Sequence, residues 1–286
     1  MNIVRRSRAL KGALVATAVA VATATVAGTA SAAGAGTAEL PVQPTFEMYG
    51  ANKQTQELQV WFPVGNGGFE TVGPLGNVSD IADIIVADND NDGHGEAEWT
   101  VYKNGRLDFW SPDSGSEDTD VVGRGWNIYA TVLSPGNIGG AKQADLLGVD
   151  KTGVLWSYLA YPNGTLTPRV RVGGGWNTYS QIAGQGDLTG DGKPDVVARD
   201  KTGVLWLYKG TGNYKAPFTG RTKIGSGWNT YDRVLSTGDI DLDGKADLLA
   251  RKSNGDLFRY PGTGNASAPF KAPVRIGGGY QKFNLF

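Results

Sequence analysis

Asp239-Ile240-Asp241-Leu242-Asp243-Gly244-Lys245-Ala246-Asp247 leads directly into Leu248-Leu249-Ala250-Arg251. Carboxylates stand at positions 1, 3, 5 and 9 of this run, with a glycine at 6. Hard cations such as calcium take six to eight oxygens, and such a loop wraps several carboxylates and a backbone carbonyl around one ion. Gly244 supplies the sharp turn, because glycine takes φ > 0 without steric cost. An EF-hand would need flanking helices and a Glu at position 12. Here a short apolar run follows at once, so the loop is expected to end in a β-strand. The other reading is an acidic turn that holds no metal.

The same run recurs upstream. Asp187-Leu188-Thr189-Gly190-Asp191-Gly192-Lys193-Pro194-Asp195 precedes Val196-Val197-Ala198-Arg199. Asn137-Ile138-Gly139-Gly140-Ala141-Lys142-Gln143-Ala144-Asp145 precedes Leu146-Leu147-Gly148-Val149, and Asp88-Asn89-Asp90-Asn91-Asp92-Gly93-His94-Gly95-Glu96 lies earlier again. The intervals are 49, 50 and 52 residues. A fixed period of this size is the mark of a repeat architecture.

Between the loops the punctuation is that of a β-protein. Short runs such as Val60-Trp61-Phe62 and Leu205-Trp206-Leu207-Tyr208 are bounded by Gly, Asn, Asp and Pro. In each repeat a Gly-Trp-Asn-x-Tyr segment (125–129, 175–179, 227–231) opens a first strand, and the acidic loop follows. The Leu-Leu-Ala-Arg type run is the second strand. The third contains Asp-Lys-Thr-Gly-Val-Leu-Trp, identical at 150–156 and 200–206, and a fourth ends near Lys223-Ile224-Gly225 or Arg275-Ile276-Gly277. Four strands per repeat of about 50 residues predict the blade of a β-propeller.

The ends complete the ring. Leu58–Gly67 matches a third strand and its Gly-x-Gly turn, but no acidic loop precedes it. Gly277-Gly278-Gly279-Tyr280-Gln281-Lys282-Phe283 matches Gly225-Ser226-Gly227-Trp228-Asn229-Thr230-Tyr231, a first strand. The expectation is an all-β, five-bladed propeller of four-stranded antiparallel blades, closed by N- and C-terminal strands sharing one blade. Closure leaves only short, protected edges, which suits a chain without cysteine.

Residues 1–32 read as a signal peptide. Arg5, Arg6, Arg8 and Lys11 come first, then an apolar run to Ala27, then Ala30-Ser31-Ala32 as a small-residue cleavage site. The run is too short and too rich in Ala and Thr for a membrane span. Residues 33–44 read as a disordered lead-in and 45–286 as the propeller. Removing the four leader cations from 27 Lys+Arg leaves 23 against 28 Asp+Glu. That balance gives no footing for nucleic acid. A secreted, extracellular monomer is expected.

These repeats resemble the FG-GAP or VCBS family of integrin α-subunit propellers and many secreted bacterial proteins. The residues that carry the resemblance are the loops 88–96, 187–195 and 239–247 with their following strands. The blade number and size are also similar to tachylectin-type lectins, in architecture only. The resemblance implies a calcium site in each intact loop. Its ligands would be Asp88, Asp90, Asp92 and Glu96, then Asp187, Thr189, Asp191 and Asp195, and last Asp239, Asp241, Asp243 and Asp247. The 137–145 loop departs from the pattern, since Asn137, Gly139 and Ala141 replace three carboxylates, and it is expected to be empty.

Catalysis finds little support. A Ser-His-Asp triad would need the one histidine, His94, which lies inside an acidic loop, and with no cysteine a Cys-His pair or a His/Cys zinc site is excluded by count. A carboxylate pair for glycoside hydrolysis needs no histidine, but most clustered acids stand at loop positions. The repeated aromatics are the other lead. Trp126, Asn127 and Tyr129, then Trp176, Asn177 and Tyr179, then Trp228, Asn229 and Tyr231 recur with the blades. Rings that stack on sugars, with amides for hydroxyls, suit a lectin; equally, each blade needs residues to pack on the next. The expected function is non-catalytic recognition, of a glycan or cell-wall polymer or else of a secreted protein partner. A carbohydrate-active enzyme is the third reading.

Overall fold

Leu248–Arg251, Val196–Arg199 and Asp145–Val149 are buried along their whole length, a pattern that requires cover on both faces of the sheet. In a ring of stacked blades a central strand has that cover, from the neighbouring blade on either side. The computed structural model describes residues 43–112 and 118–286. The leader at 1–32, and the lead-in as far as residue 42, lie outside the described residues. Every described regular element longer than three residues is a strand.

The first blade takes β1 (Met48–Asn52), β2 (Leu58–Pro63) and β3 (Phe69–Val72) from one end of the chain. The second contains β4 (Ile81–Ala87), β5 (Ala97–Tyr102), β6 (Leu107–Trp110) and β7 (Asp120–Gly123). The third is β8 (Tyr129–Gly136), β9 (Asp145–Asp150), β10 (Leu155–Tyr158) and β11 (Val170–Gly173). The fourth is β12 (Tyr179–Ala183), β13 (Val196–Asp200), β14 (Leu205–Tyr208) and β15 (Thr222–Gly225). The fifth is β16 (Tyr231–Leu235), β17 (Leu248–Lys252), β18 (Leu257–Tyr260) and β19 (Val274–Gly277). A last strand, β20 (Phe283–Leu285), returns to the first blade, whose order is β20-β1-β2-β3. All pairings within these sheets are antiparallel. Five four-stranded blades, one shared by the two terminal segments, are what the repeat arithmetic predicts.

Closure rests on a narrow contact. Gly50, Ala51 and Asn52 pair with Leu285, Asn284 and Phe283. A Cβ on Gly50 would lie 2.9 Å from the Trp61 ring and 3.0 Å from Leu285, so glycine is what admits β20. Trp61 meets the Phe283 ring edge-on at 4.9 Å and Tyr280 at 5.4 Å. These residues share one core with Met48, Leu235, Leu249 and Leu285.

One local reading changes. Gly-Trp-Asn-x-Tyr does not open a strand directly: Trp126–Ile128, Trp176–Thr178 and Trp228–Thr230 are 3-10 turns, and the strand begins at the tyrosine. The preceding glycine, Gly125 at φ 80°, is left-handed, a conformation that β-propensity reasoning does not anticipate. Each turn is fixed from the blade before it. Arg199 Nη1 donates to the Trp228 carbonyl at 3.1 Å and to that of Tyr231. Arg251 Nη1 donates to Tyr280 O at 2.9 Å and Phe283 O at 2.7 Å, while its Nε pairs with Asp232 at 2.8 Å.

The inner strands β4, β8, β12 and β16 line a channel of about 150 Å³ that contains Asp83, Ser134, Gln181 and Arg233. Burial pushes the Asp83 carboxyl up to about 6, with the Arg233 guanidinium pulling the other way. The loops between first and second strands all lie at one end of the ring. There the segment 43–46 runs across three of them. Asp187 N donates to Gln43 Oε1 at 2.9 Å, Asp239 N to Pro44 O at 2.9 Å, and Thr45 N to Gly93 O at 3.1 Å.

Candidate metal centre

Each acidic loop joins the innermost strand of a blade to the second. In 88–96 the position-1 carboxylate shapes the turn: Asp88 Oδ1 accepts from Asp92 N at 3.1 Å and Oδ2 from Gly93 N at 3.0 Å. Asp239 does the same for Asp243 N (3.1 Å) and Gly244 N (2.7 Å), and Asp187 for Thr189 N, Gly190 N and Gly192 N. The glycine at position 6 is therefore held by its own N–H as well as by its left-handed φ, 82° at Gly244.

Among the described residues two sets of carboxylates converge with an oxygen from each within 4.8 Å of the others. One is Asp88, Asp90, Asp92 and Glu96. The other is Asp239, Asp241 and Asp247. Asp243 lies apart from that set, its Oδ2 3.6 Å from both Lys245 Nζ and Lys271 Nζ. In the 187–195 loop the acids do not form such a set. Asp191 turns to Lys209 at 3.3 Å, and Thr189 Oγ1 lies 3.4 Å from Asp187 Oδ1. In 137–145 the Asn137 amide donates to the carbonyls of Ala141 (3.0 Å) and Lys142 (3.1 Å), closing the loop on itself.

The donor set of 88–96 fits a hard divalent cation. Glu96 Oε1 accepts from Asn89 N at 2.7 Å, but its Oε2 is buried without any hydrogen-bond partner. Burial, and after it the neighbouring acids, push Glu96 up to about 8 and Asp88 to about 6. Carboxylates so placed destabilise one another as anions, and a cation among them removes both the repulsion and the missing partner. In 239–247 Asp241 Oδ1 is likewise buried without a partner. Arg259 stands beside it, and its Nη1 pairs with Asp241 and, at 3.2 Å, with Asp247 Oδ2.

Position 9 has a second task that spacing does not show. Asp145, Asp195 and Asp247 are fully buried. Each accepts at one oxygen from the position-2 N–H (Ile138, Leu188, Ile240). Each accepts at the other from the turn after the third strand (Ala160, Gly210, Gly262). Glu96 is out of step with them. Val101 pairs with Leu107 as Arg251 does with Leu257, and counting back four residues gives Asp247 in one blade but Ala97 in the other. Glu96 therefore reaches in from one residue earlier, which its longer side chain permits.

The repeated aromatics lie inside the ring. Trp126, Trp176 and Trp228 are 6–8% exposed. Each packs on the tyrosine three residues on (5.2–5.6 Å) and on a third-strand tyrosine, Tyr158, Tyr208 or Tyr260 (4.7–5.0 Å). The Tyr179–Tyr208 and Tyr231–Tyr260 hydroxyls share hydrogen bonds of 2.6 and 2.7 Å, and Tyr129 pairs with Tyr158 in the same way. Asn127, Asn177 and Asn229 press on Gly105, Gly153 and Gly203 of the preceding blade. The tryptophan and tyrosine rings are packing between blades, whereas the three asparagines remain exposed. Two other tryptophans, Trp156 and Trp206, are only partly buried. Each donates its indole N–H to an aspartate (Asp150, 2.8 Å; Asp200, 2.9 Å) and lies under a guanidinium (Arg169, 4.0 Å; Arg221, 4.2 Å). The identical heptads at 150–156 and 200–206 were the signal for them.

Residues 187–250 match the FG-GAP-like repeat. That stretch lies within a ring of five four-stranded blades, and the two together support an FG-GAP/VCBS-type repeat propeller. No curated protein matches it. Human WBSCR16 is similar in structure at 12% identity and a TM-score of 0.36, over 82% of this chain and 65% of its own. Regucalcin from Agrobacterium tumefaciens, described as a calcium-binding protein, is 12% identical with a TM-score of 0.46, over 83% and 74%. Prp20p from Saccharomyces cerevisiae is 11% identical with a TM-score of 0.37, over 78% and 60%. The chain thus spans less than two thirds of WBSCR16 and of Prp20p.

Proposed function

We propose that this chain is a secreted, non-catalytic propeller that binds calcium in its inter-strand loops and recognises carbohydrate or cell-wall polymer through its rim. The observation that carries the metal reading is the 88–96 loop, where four carboxylates converge and Glu96 Oε2 is buried with no partner. Asp88, Asp90, Asp92 and Glu96 would hold the ion, which neutralises the cluster and fixes the loop. The 239–247 loop offers three further ligands, and 187–195 would need its carboxylates to turn inward on binding.

Support for a sugar ligand comes from Trp156 and Trp206. Both are partly buried rings at the same place in adjacent blades, each flanked by an arginine and an aspartate, groups that suit a sugar face and its hydroxyls. A protein partner is the second reading, favoured by Val121 and Val274, about half exposed on the outermost strands β7 and β19. Calcium titration of EDTA-treated protein is expected to show binding at about 10⁻⁴–10⁻³ M, typical of extracellular modules. A stoichiometry of zero overturns the metal reading. A glycan array in calcium should give specific hits that Trp156→Ala with Trp206→Ala removes; an empty array, with partners retained from culture fluid, favours the second reading.

A further inference from the structure

The two convergent loops differ in what faces them. No lysine or arginine among the described residues pairs with the 88–96 carboxylates, whereas 239–247 contains a cation of its own. Arg259 lies on β18, opposite Leu249, with its side chain 10% exposed. Its Nη1 pairs with Asp241 and Asp247, and its Nε is buried without a partner. Gly67 of the adjoining blade covers it: a Cβ there would stand 2.6 Å from the guanidinium carbon. The register places neutral residues at the same point of the other blades, Leu207 opposite Val197, Ser157 opposite Leu147 and Phe109 opposite Trp99. Arg259 is thus an addition peculiar to this blade, and it takes the carboxylates that a divalent ion would use.

We propose that Arg259 is the resident cation of the 239–247 loop, so that this loop is partly neutralised without metal and takes calcium only when the guanidinium is displaced. This rests on the reading of the acidic loops as calcium sites. A monovalent guanidinium and a divalent ion cannot share two carboxylates without strong repulsion, because like charges a few ångströms apart in a poorly hydrated site interact steeply. The loop whose spacing most resembles a calcium site is therefore the weaker one, and 88–96 is filled first.

Calcium titration by calorimetry on the full, EDTA-treated chain tests this, beginning with the unaltered protein. Next comes a background carrying Asp92→Ala and Asp191→Ala, which removes the position-5 ligands of the other two loops. In that background Arg259→Leu, the residue of the preceding blade, is expected to raise calcium affinity at least tenfold. The same substitution should lower Tm in EDTA and enlarge the Tm rise given by calcium. Arg259→Gln, which keeps hydrogen-bond donors and removes the charge, is measured beside it in case the leucine variant misfolds, and the same gain is expected. Unchanged or weaker binding in the folded variants, with the unaltered chain still binding calcium, overturns the role of Arg259. No calcium bound by the unaltered chain overturns the calcium reading, and this inference falls with it.

Discussion

The 88–96 and 137–145 loops share a frame and have opposite chemistry. One gathers four carboxylates and leaves a glutamate oxygen buried without a partner. The other turns an asparagine amide onto its own carbonyls and has a single acid, whose two oxygens are both taken by backbone N–H groups. The loop shape therefore does not depend on metal. In 88–96 it is set by Asp88, which gathers the N–H groups of the turn, and in 137–145 by Asn137, which closes on two carbonyls, and by buried Asp145, which ties the loop to the turn after the third strand. Carboxylates at positions 3 and 5 are free to come and go without altering the blade.

Both loops presuppose a closed ring, so the largest effect should come from opening it. Deleting 279–286 removes the buried Tyr280 and Leu285 and half-buried Phe283, at about 1.5–3 kcal/mol for each fully buried large apolar side chain. It also strips Arg251 of two carbonyl partners and exposes the edge of β1. The expected product is insoluble or oligomeric by size-exclusion chromatography, with or without calcium; a monomer of unchanged Tm would mean that β20 is dispensable.

Asp145→Ala comes next. It leaves two buried N–H groups unpaired, at about 1–3 kcal/mol each, and should lower the unfolding free energy equally in EDTA and in calcium. A loss confined to calcium would make 137–145 a metal loop after all. Asp92→Ala should do the reverse, changing little in EDTA but removing stabilisation by calcium. With a dissociation constant of 10⁻⁴–10⁻³ M, 10 mM calcium is worth about 1.4–2.7 kcal/mol. Denaturant unfolding in both conditions separates the two variants.

Smaller, and opposite in sign to the usual acid lability, is the dependence on pH. Burial pushes Asp145 up to about 7 and Asp83 to about 6, from 3.8. A carboxyl raised in the folded state binds more protons there than when unfolded. Its stabilising contribution is full below about pH 4 and is lost as pH rises through 6 to 7. In EDTA, Tm should therefore be higher at pH 5 than at pH 8, and a higher Tm at pH 8 would count against these two groups. The smallest effect should be Asn137→Asp with Ala141→Asp, which is expected to add no bound calcium. Position 3 is Gly139, at φ 98° and against the Gly212 backbone, where no side chain fits.

The ring, its five blades and the pairing of its ends were legible because they depend on a period and on two complementary fragments. The convergence of the 88–96 carboxylates was legible because they are close in sequence as well as in space. What escaped was set by distant partners. Arg259 reaches a loop twelve or more residues earlier through the blade pairing, and Arg199 and Arg251 act on the next blade. The repeated Trp-Asn-Tyr could be surface or packing on spacing alone, since every blade repeats both its rim and its interior. The one-residue offset of Glu96 was hidden because the loop and strand patterns each look intact when read separately.

The pairing of β1 with β20 also sets a clock. Ribosomes add about 5–20 residues per second, so the 231 residues from Lys53 through Phe283 take on the order of ten to fifty seconds to appear. Throughout that interval the first blade lacks its innermost strand, and the segment 43–46 gains its three loops one after another, the last only with Asp239. Blades two to five can form one by one as they emerge, but the nascent chain remains an open arc. Any factor that must thread, escort or trim this polypeptide before it locks therefore has that whole interval in which to act.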